Sequence, residues 1–335
     1  MVLQTEIKVS VIILTYNQEK YIKKAIESVL MQKTTFDYEV IIADDFSTDK
    51  TKEIIQDIIT KNHESKVSIR YIRNEKNIGV MASWINAYSQ VNGKYIAICE
   101  GDDFWTIDSK LQKQFEVLDS HPQFSICFHN VNVEYIDINE KNYILNENIE
   151  KDIFTIDDLI GEEEIWFMAT ASLMIRHESL QTIPDWVLKS KSGDIPIIML
   201  AARNGHIKYL PDLMATYQKH SKGMSMTDHK NDAIFLKNRI YMYKMLNSET
   251  KFQYDYRFKQ ILSGYYYLML DSKQLQNKYI SQFIVALKYF YYSYPKIKNI
   301  KVVIKNYIIP PVMLEFSRFI KRKTGIIPTF DKNTL

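Results

Sequence analysis

The stretch VSVIILTYNQEKYIKKAIESVL, residues 9–30, decides the class of fold. Residues 9–14 form a continuous apolar, β-branched run, the pattern of a strand covered on both faces. After a polar turn, Ile22, Ala25, Ile26, Val29 and Leu30 recur at helical spacing. The same alternation then repeats. Residues 39–43 (EVIIA) read as a strand, and Ser47, Thr48 and Asp49 offer N-caps for a helix carrying Ile54, Ile55, Ile58 and Ile59. Residues 67–72 read as a strand, 80–91 as a helix and 94–99 (KYIAIC) as a further strand. Strands alternating with helices imply βαβ units: an α/β fold with a mostly parallel, Rossmann-like sheet flanked by helices.

Beyond residue 110 the pattern loosens. Residues 110–118 read as a helix, and 124–128, 131–136, 171–176 and 207–210 as strands. The Asn-, Asp- and Glu-rich segment 137–152 reads as a surface loop, and the chain from about 233 reads as helical. The expected division is a catalytic domain over 1–230 and a helical region over 231–335 that makes acceptor, membrane-surface or oligomer contacts.

Composition narrows the function. The 335 residues are 46% hydrophobic and 25% charged, an ordinary globular balance, and a net charge of +3 is too mild to argue for nucleic acid. Cys99 and Cys127 lie inside apolar runs and read as buried free thiols, which fits a reducing compartment. The N-terminus lacks the pattern of a signal peptide, and no run reaches the roughly 20 apolar residues of a membrane span. Lys296, Lys298, Lys301, Lys305 and Lys321-Arg322-Lys323 flank apolar segments, a pattern open to peripheral contact with an anionic membrane and equally to a packed helical subdomain. The expected location is cytoplasmic, with that membrane contact at the inner face.

In parallel sheets, ligands bind beyond the carboxyl ends of the strands. Three polar clusters fall there: Thr15-Tyr16-Asn17, Asp44-Asp45, and Glu100-Gly101-Asp102-Asp103. An isolated Asp-Asp pair is most often a solvated turn. Two such pairs at neighbouring strand ends instead suit a divalent cation, which prefers oxygen ligands and leaves positions for substrate phosphates. Asp194, just before an apolar helical run, reads both as a helix cap and as a carboxylate able to face a cleft.

These segments together resemble family 2 glycosyltransferases with the GT-A fold, over roughly residues 8–220. The strand and helix at the start, IIADDFSTDKT, NEKNIGVMASWINAY and YIAICEGDDFW are similar to that family's motifs, in order and at fitting spacing. The resemblance implies a nucleotide-diphosphate sugar donor, with UDP the first expectation, a glycan or lipid-linked acceptor, and Mn²⁺ or Mg²⁺. It places Thr15, Tyr16, Asn17, Glu19, Asp44, Asp45, Asn77, Gly79 and Asp102 around the donor, with Asp45 on the base. It gives the metal to Asp103 chiefly, with Asp102 and His220 beside it, and makes Asp194 the base of an inverting single displacement. Glu100 departs from the family's usual Asp at the first acidic position. Trp105 and Trp166 are expected to stack on an acceptor sugar, and a homo-oligomer is compatible. Two rivals remain: a sugar nucleotidyltransferase, disfavoured because LTYNQEKY lacks a phosphate-cradling glycine, and a GT-A protein that binds nucleotide sugar or glycan without transfer.

Overall fold

The computed structural model describes residues 6–161, 165–227, 232–295 and 298–310, together with 313, 315, 316 and 319. The chain divides into two compact units, Met1–Leu159 with Ile165–Thr227, and Ile160–Glu164 with Asp228–Leu335.

The first unit is built on one sheet. Its strands are β1 (Val9–Thr15), β2 (Tyr38–Asp44), β3 (Ser68–Arg73), β4 (Tyr95–Glu100), β5 (Phe104–Trp105), β6 (Phe124–Tyr135), β7 (Tyr143–Ile144), β8 (Ile153–Phe154), β9 (Met174–Arg176) and β10 (His206–Lys219). The order is β3-β2-β1-β4-β9-β6-β10-β5, with β7 on β6 and β8 on β10. The β3-β2-β1-β4 half is wholly parallel. Helices α1 (Ile22–Leu30), α2 (Thr51–Lys61), α3 (Val80–Tyr88) and α4 (Lys110–Ser120) connect or follow these strands, as the sequence pattern requires. The short α5 (Ile156–Leu159), then α6 (Asp194–Ala202) and the short α7 (Met224–Thr227), complete the unit.

The apolar runs explain the packing. Val9, Val11, Ile13, Val40, Ile42, Ala97 and Cys99 are buried against Ile22, Ile26 and Val29 of α1 and Ile55 and Ile58 of α2. Each such aliphatic chain contributes about 1.5–3 kcal/mol on burial. Cys99 and Cys127 are free and buried.

The second half departs from the expected elements. The runs 124–128 and 131–136 are one continuous strand, β6. The expected strand 207–210 extends to Lys219, because β10 shifts register around Leu210 and Leu213, lets Pro211 and Asp212 bulge, and resumes its ladder with β6. Of 171–176, only Met174–Arg176 is strand, preceded by a 3₁₀ turn at Thr170–Ser172. Part of the expected loop 137–152 pairs with β6 as β7.

The second unit is helical: α8 (Ala233–Glu249), α9 (Asp255–Leu270), α10 (Tyr279–Ser293) and the short α11 (Ile300–Val303). Ile280, Ile284, Leu287 and Tyr291 of α10 form an exposed apolar stripe at helical spacing. Lys296 and Lys321-Arg322-Lys323 lie outside the described residues. Among those described, no helix is long and apolar enough to cross a membrane.

Candidate active site

Strand register assembles the site. Thr15 lies opposite Asp44 and Leu14 opposite Glu100, so the ends of β1, β2 and β4 share one sheet edge. Asp45 N donates to Thr15 O at 3.0 Å and Gly101 N to Leu14 O at 2.8 Å, which ties both acidic segments to the end of β1. Gly101 suits the close approach here: a Cβ there would lie 3.0 Å from Leu14 O and would displace the Gln18 amide, 2.4 Å away.

The first acidic pair is held by protein donors. Asp44 is fully buried. Its Oδ1 accepts from Ser47 N at 2.8 Å and its Oδ2 from Tyr71 OH at 2.8 Å, with Arg73 Nε 3.5 Å away. Burial and that bond to Asp44 push the Tyr71 phenol upward. Both Asp44 oxygens are therefore occupied by protein donors. Asp45 Oδ1 accepts from Asn74 Nδ2 and Ile78 N, and Oδ2 from Gly79 N at 2.8 Å. Its carboxylate thus folds the 74–79 loop back over the sheet edge and keeps one acceptor position on Oδ2. Gly79 N can reach it because Gly79 adopts φ +88, a left-handed conformation that glycine takes at little cost. Asn77 lies exposed in that loop.

Asn17 and Glu19 brace the neighbouring turn. Asn17 Oδ1 accepts from Thr48 N at 2.7 Å, and Glu19 Oε2 accepts from Lys50 N at 3.0 Å. The Asn17 amide oxygen and the Glu19 carboxylate thus fasten the turn after β1 to the N-terminus of α2. Tyr16 is 46% exposed, while Thr15 is buried with its hydroxyl oxygen unpartnered.

The second acidic cluster is different. Asp103 is 1% exposed, its Oδ1 accepts from Gln218 N at 2.8 Å, and its Oδ2 is buried without a partner. Burial, then the charges of Asp102 and Glu100, hold its carboxyl well above the usual range. Glu100 is pushed up to about 8 by burial and by the nearby charges of Asp102 and Asp194, against a hydrogen bond from Thr170. The side chain of Asp102 is 20% exposed and meets His220 Nε2 at 3.0 Å. That bond raises the His220 pKa, and Tyr21 stacks on the imidazole at 4.8 Å between centroids. Asp102 is thus more exposed than the buried His220 beside it, and Asp103 is the most deeply buried of these groups, with one oxygen left unpartnered.

Asp194 opens α6. Its Oδ1 accepts from Ser192 Oγ at 2.5 Å and from Ile195 N at 2.8 Å, and Trp166 Nε1 reaches Oδ2 at 3.3 Å. Asp194 is close enough to Glu100 to raise its pKa, so α6 and the end of β4 converge. Trp166 lies 5.6 Å from the Tyr217 ring. Trp105 is 1% exposed, donates from Nε1 to Ala171 O at 2.9 Å and carries Lys110 Nζ over its ring.

Sequence reasoning missed Tyr21, Tyr217 and the backbone of Gln218. The signal for the last two lay in the length of β10, hidden by Pro211.

Known proteins agree with this architecture. The sequence profile described as Glycosyl transferase family 2 matches residues 10–183, more than half of the chain. The chain belongs to that family. This family 2 chain is 36% identical over 222 residues to the uncharacterized protein Rv1520 of Mycobacterium tuberculosis, covering 64% of this chain and 60% of that one. It is 29% identical over 158 residues to abequosyltransferase RfbV of Salmonella typhimurium, covering 44% and 46%. The chain thus spans less than two thirds of these relatives. Among solved structures it resembles TarS 1–349 of S. aureus in complex with UDP-GlcNAc, with TM-score 0.58 and 19% identity over 84% of this chain and 79% of that one. It also resembles the mannosyltransferase PcManGT of Pyrobaculum calidifontis in complex with GDP-Man and Mn²⁺, with TM-score 0.50 and 14% identity over 95% and 81%. These likenesses establish the GT-A type of fold.

Proposed function

We propose that this chain transfers a sugar from a nucleotide-diphosphate donor to a hydroxyl of a glycan, free or lipid-linked, by inverting single displacement. The observation that carries the reading is the convergence of Asp194 with an under-satisfied acidic cluster at the sheet's carboxyl edge. The relatives add class support: one solved neighbour holds UDP-GlcNAc, another GDP-Man with Mn²⁺.

The residues present fit a divalent cation. Asp103 Oδ2 is an orphaned buried oxygen, and Asp102 with His220 adds oxygen and nitrogen from the neighbouring residues of the cluster. Among the described residues no group of three or more His, Cys, Asp or Glu side chains is arranged to hold a metal. That suits an ion held by one or two protein ligands and by substrate phosphates. Asp103, with Asp102 and His220 beside it, would hold Mn²⁺ or Mg²⁺, which when bound neutralises negative charge on a diphosphate as a Lewis acid. Asp45, with its remaining acceptor position, receives an N–H of the base, and Tyr16 and Thr15 flank it.

Asp194 does the proton work. Ser192 and Ile195 N fix one carboxylate oxygen, and Trp166 bonds to the other. That carboxylate removes the acceptor hydroxyl's proton as the oxygen attacks the anomeric carbon. The bond from that carbon to the diphosphate breaks, and its electron pair leaves with the nucleoside diphosphate. No protein nucleophile is required.

The test is release of nucleoside diphosphate from a panel of sugar nucleotides with Mn²⁺ and a mixed glycan acceptor pool. The expected result is acceptor-dependent release that Asp194→Asn abolishes while the melting temperature stays. Release of pyrophosphate from a nucleoside triphosphate plus sugar phosphate would favour the nucleotidyltransferase instead.

A further inference from the structure

Lys219 is the last residue of β10, between Gln218, whose N–H holds Asp103, and His220, which meets Asp102. Side chains alternate along a strand, so Lys219 shares the side of Tyr217, away from that of Gln218 and His220. Its ammonium lies 5.6 Å from the ring centres of Tyr135 and Tyr217 and 5.9 Å from those of Tyr143 and Trp166. Four aromatic rings from four segments thus surround one cation. These distances are at the outer limit of cation–π attraction, so no single ring seats the ammonium. Among the described residues no carboxylate forms an ion pair with it. Such a cation, half-buried and lacking a counter-ion, is a receptor for an anion.

Position bears on which substrate brings that anion. The donor-side residues Thr15, Tyr16 and Asp45 stand at the ends of β1 and β2. Lys219 pairs with Tyr135 at the end of β6, and β9 separates β6 from β4. Trp166, one wall of the cage, is the residue that bonds to Asp194. The cage therefore borders Asp194 through Trp166, and through Tyr217 it also neighbours the acidic cluster at the end of β4, so a probe titration with the donor site filled decides which substrate it serves. Its rings offer apolar faces to a sugar, and its centre offers positive charge.

We propose that Tyr135, Tyr143, Trp166, Tyr217 and Lys219 form an acceptor subsite for a sugar bearing an anionic group, a carboxylate or a phosphate. This rests on the transferase reading, because it takes Asp194 as the group that faces the acceptor.

The test uses the full chain with Mn²⁺ and saturating UDP, so that added phosphate cannot enter the donor site. Methyl β-D-glucopyranoside, its uronic acid and its 6-phosphate are titrated, and binding is read by calorimetry or saturation-transfer NMR. The expected result is that at least one anionic probe binds about tenfold tighter than the neutral one. Lys219→Met should reduce that preference to about twofold and Lys219→Arg should retain it, since only the charge is shared. Which anionic probe binds tighter distinguishes carboxylate from phosphate. Equal binding of all three probes, no binding by either anionic probe, or a preference that survives Lys219→Met would overturn the proposal. A loss of UDP affinity in Lys219→Met would do so too, by moving the cation to the donor. The nucleotide titration of the unaltered chain is separate: if UDP does not bind, GDP or dTDP takes its place in the probe titrations, and if none of the three binds, the transferase reading fails while the preference for the uronic acid over the neutral sugar is still measured.

Discussion

Two acidic rims stand on the same sheet edge, and in sequence they look alike: an apolar strand running into paired aspartates. Their physics is opposite. At the end of β2, Asp44 and Asp45 receive bonds from Ser47, Tyr71, Asn74, Ile78 and Gly79, so each carboxylate is compensated where it lies. At the end of β4, Glu100 and Asp103 have pKa values raised by burial and by their acidic neighbours, and Asp103 Oδ2 has no partner. A native fold keeps an uncompensated buried carboxyl rarely, because each costs about 1–3 kcal/mol. The first rim holds loops in shape and keeps a single acceptor position on Asp45; the second keeps a buried carboxylate oxygen with no partner at all.

The contrast breaks most sharply at the base. Asp194→Asn keeps the bonds that shape the start of α6 but removes the proton acceptor, so transfer should fall about a thousandfold. Circular dichroism and melting temperature should match the unaltered protein. Retention of more than a tenth of the rate would remove Asp194 from the chemistry.

On the other rim the loss should be of stability, not of chemistry. Asp44→Asn removes the charge that Tyr71 and Arg73 face and should lower unfolding free energy by about 1–3 kcal/mol. Rate per folded molecule should stay within about threefold, since a few kcal/mol of stability changes abundance more than turnover. Denaturant unfolding alongside steady-state kinetics measures both. A large fall in rate with unchanged stability would reverse the assignment.

A smaller effect sharpens the comparison from beneath the site. Lys110 is fully buried, its Nζ has no hydrogen-bond partner, and it lies over Trp105 at 3.8 Å. Burial lowers its pKa to about 7, although the nearby Cys99 and Cys127 favour the charged form. The sign follows from proton counts. Between about pH 7 and the unfolded lysine value near 10.4, the unfolded chain binds the proton and the fold does not, so this group's contribution to stability rises with pH. Its slope approaches about 1.4 kcal/mol per pH unit in that window. Lys110→Met should raise the melting temperature at pH 7 and flatten the profile from pH 7 to 9. An unchanged profile would show that the amine is compensated.

The sequence made the parallel half of the sheet legible because burial on both faces forces continuous apolar runs, and the helices between show a clean apolar stripe. The acidic rims were legible as types, since paired aspartates after a strand are rare enough to notice. What could not be read was which carboxylate faces out. Asp102 and Asp103 are adjacent and chemically identical, and their roles separate only because β10 passes close enough for Gln218 N to bind Asp103. Trp105 looked available for stacking, yet its indole N–H finds Ala171 O across the chain. Both facts depend on contacts more than 60 residues apart, which local spacing does not encode. The same holds for Lys219, whose aromatic surroundings come from β6, β7 and the Trp166 segment.

The central claim is that only the rim at the end of β4 grips a cation. Calorimetric titration of Mn²⁺ in the presence of UDP, on the unaltered chain, Asp102→Asn and Asp44→Asn, addresses it directly. The account predicts that Asp102→Asn weakens Mn²⁺ about tenfold or more, through loss of a charged ligand, while Asp44→Asn leaves it within about twofold. Native affinity in Asp102→Asn, or equal losses in both variants, would contradict it.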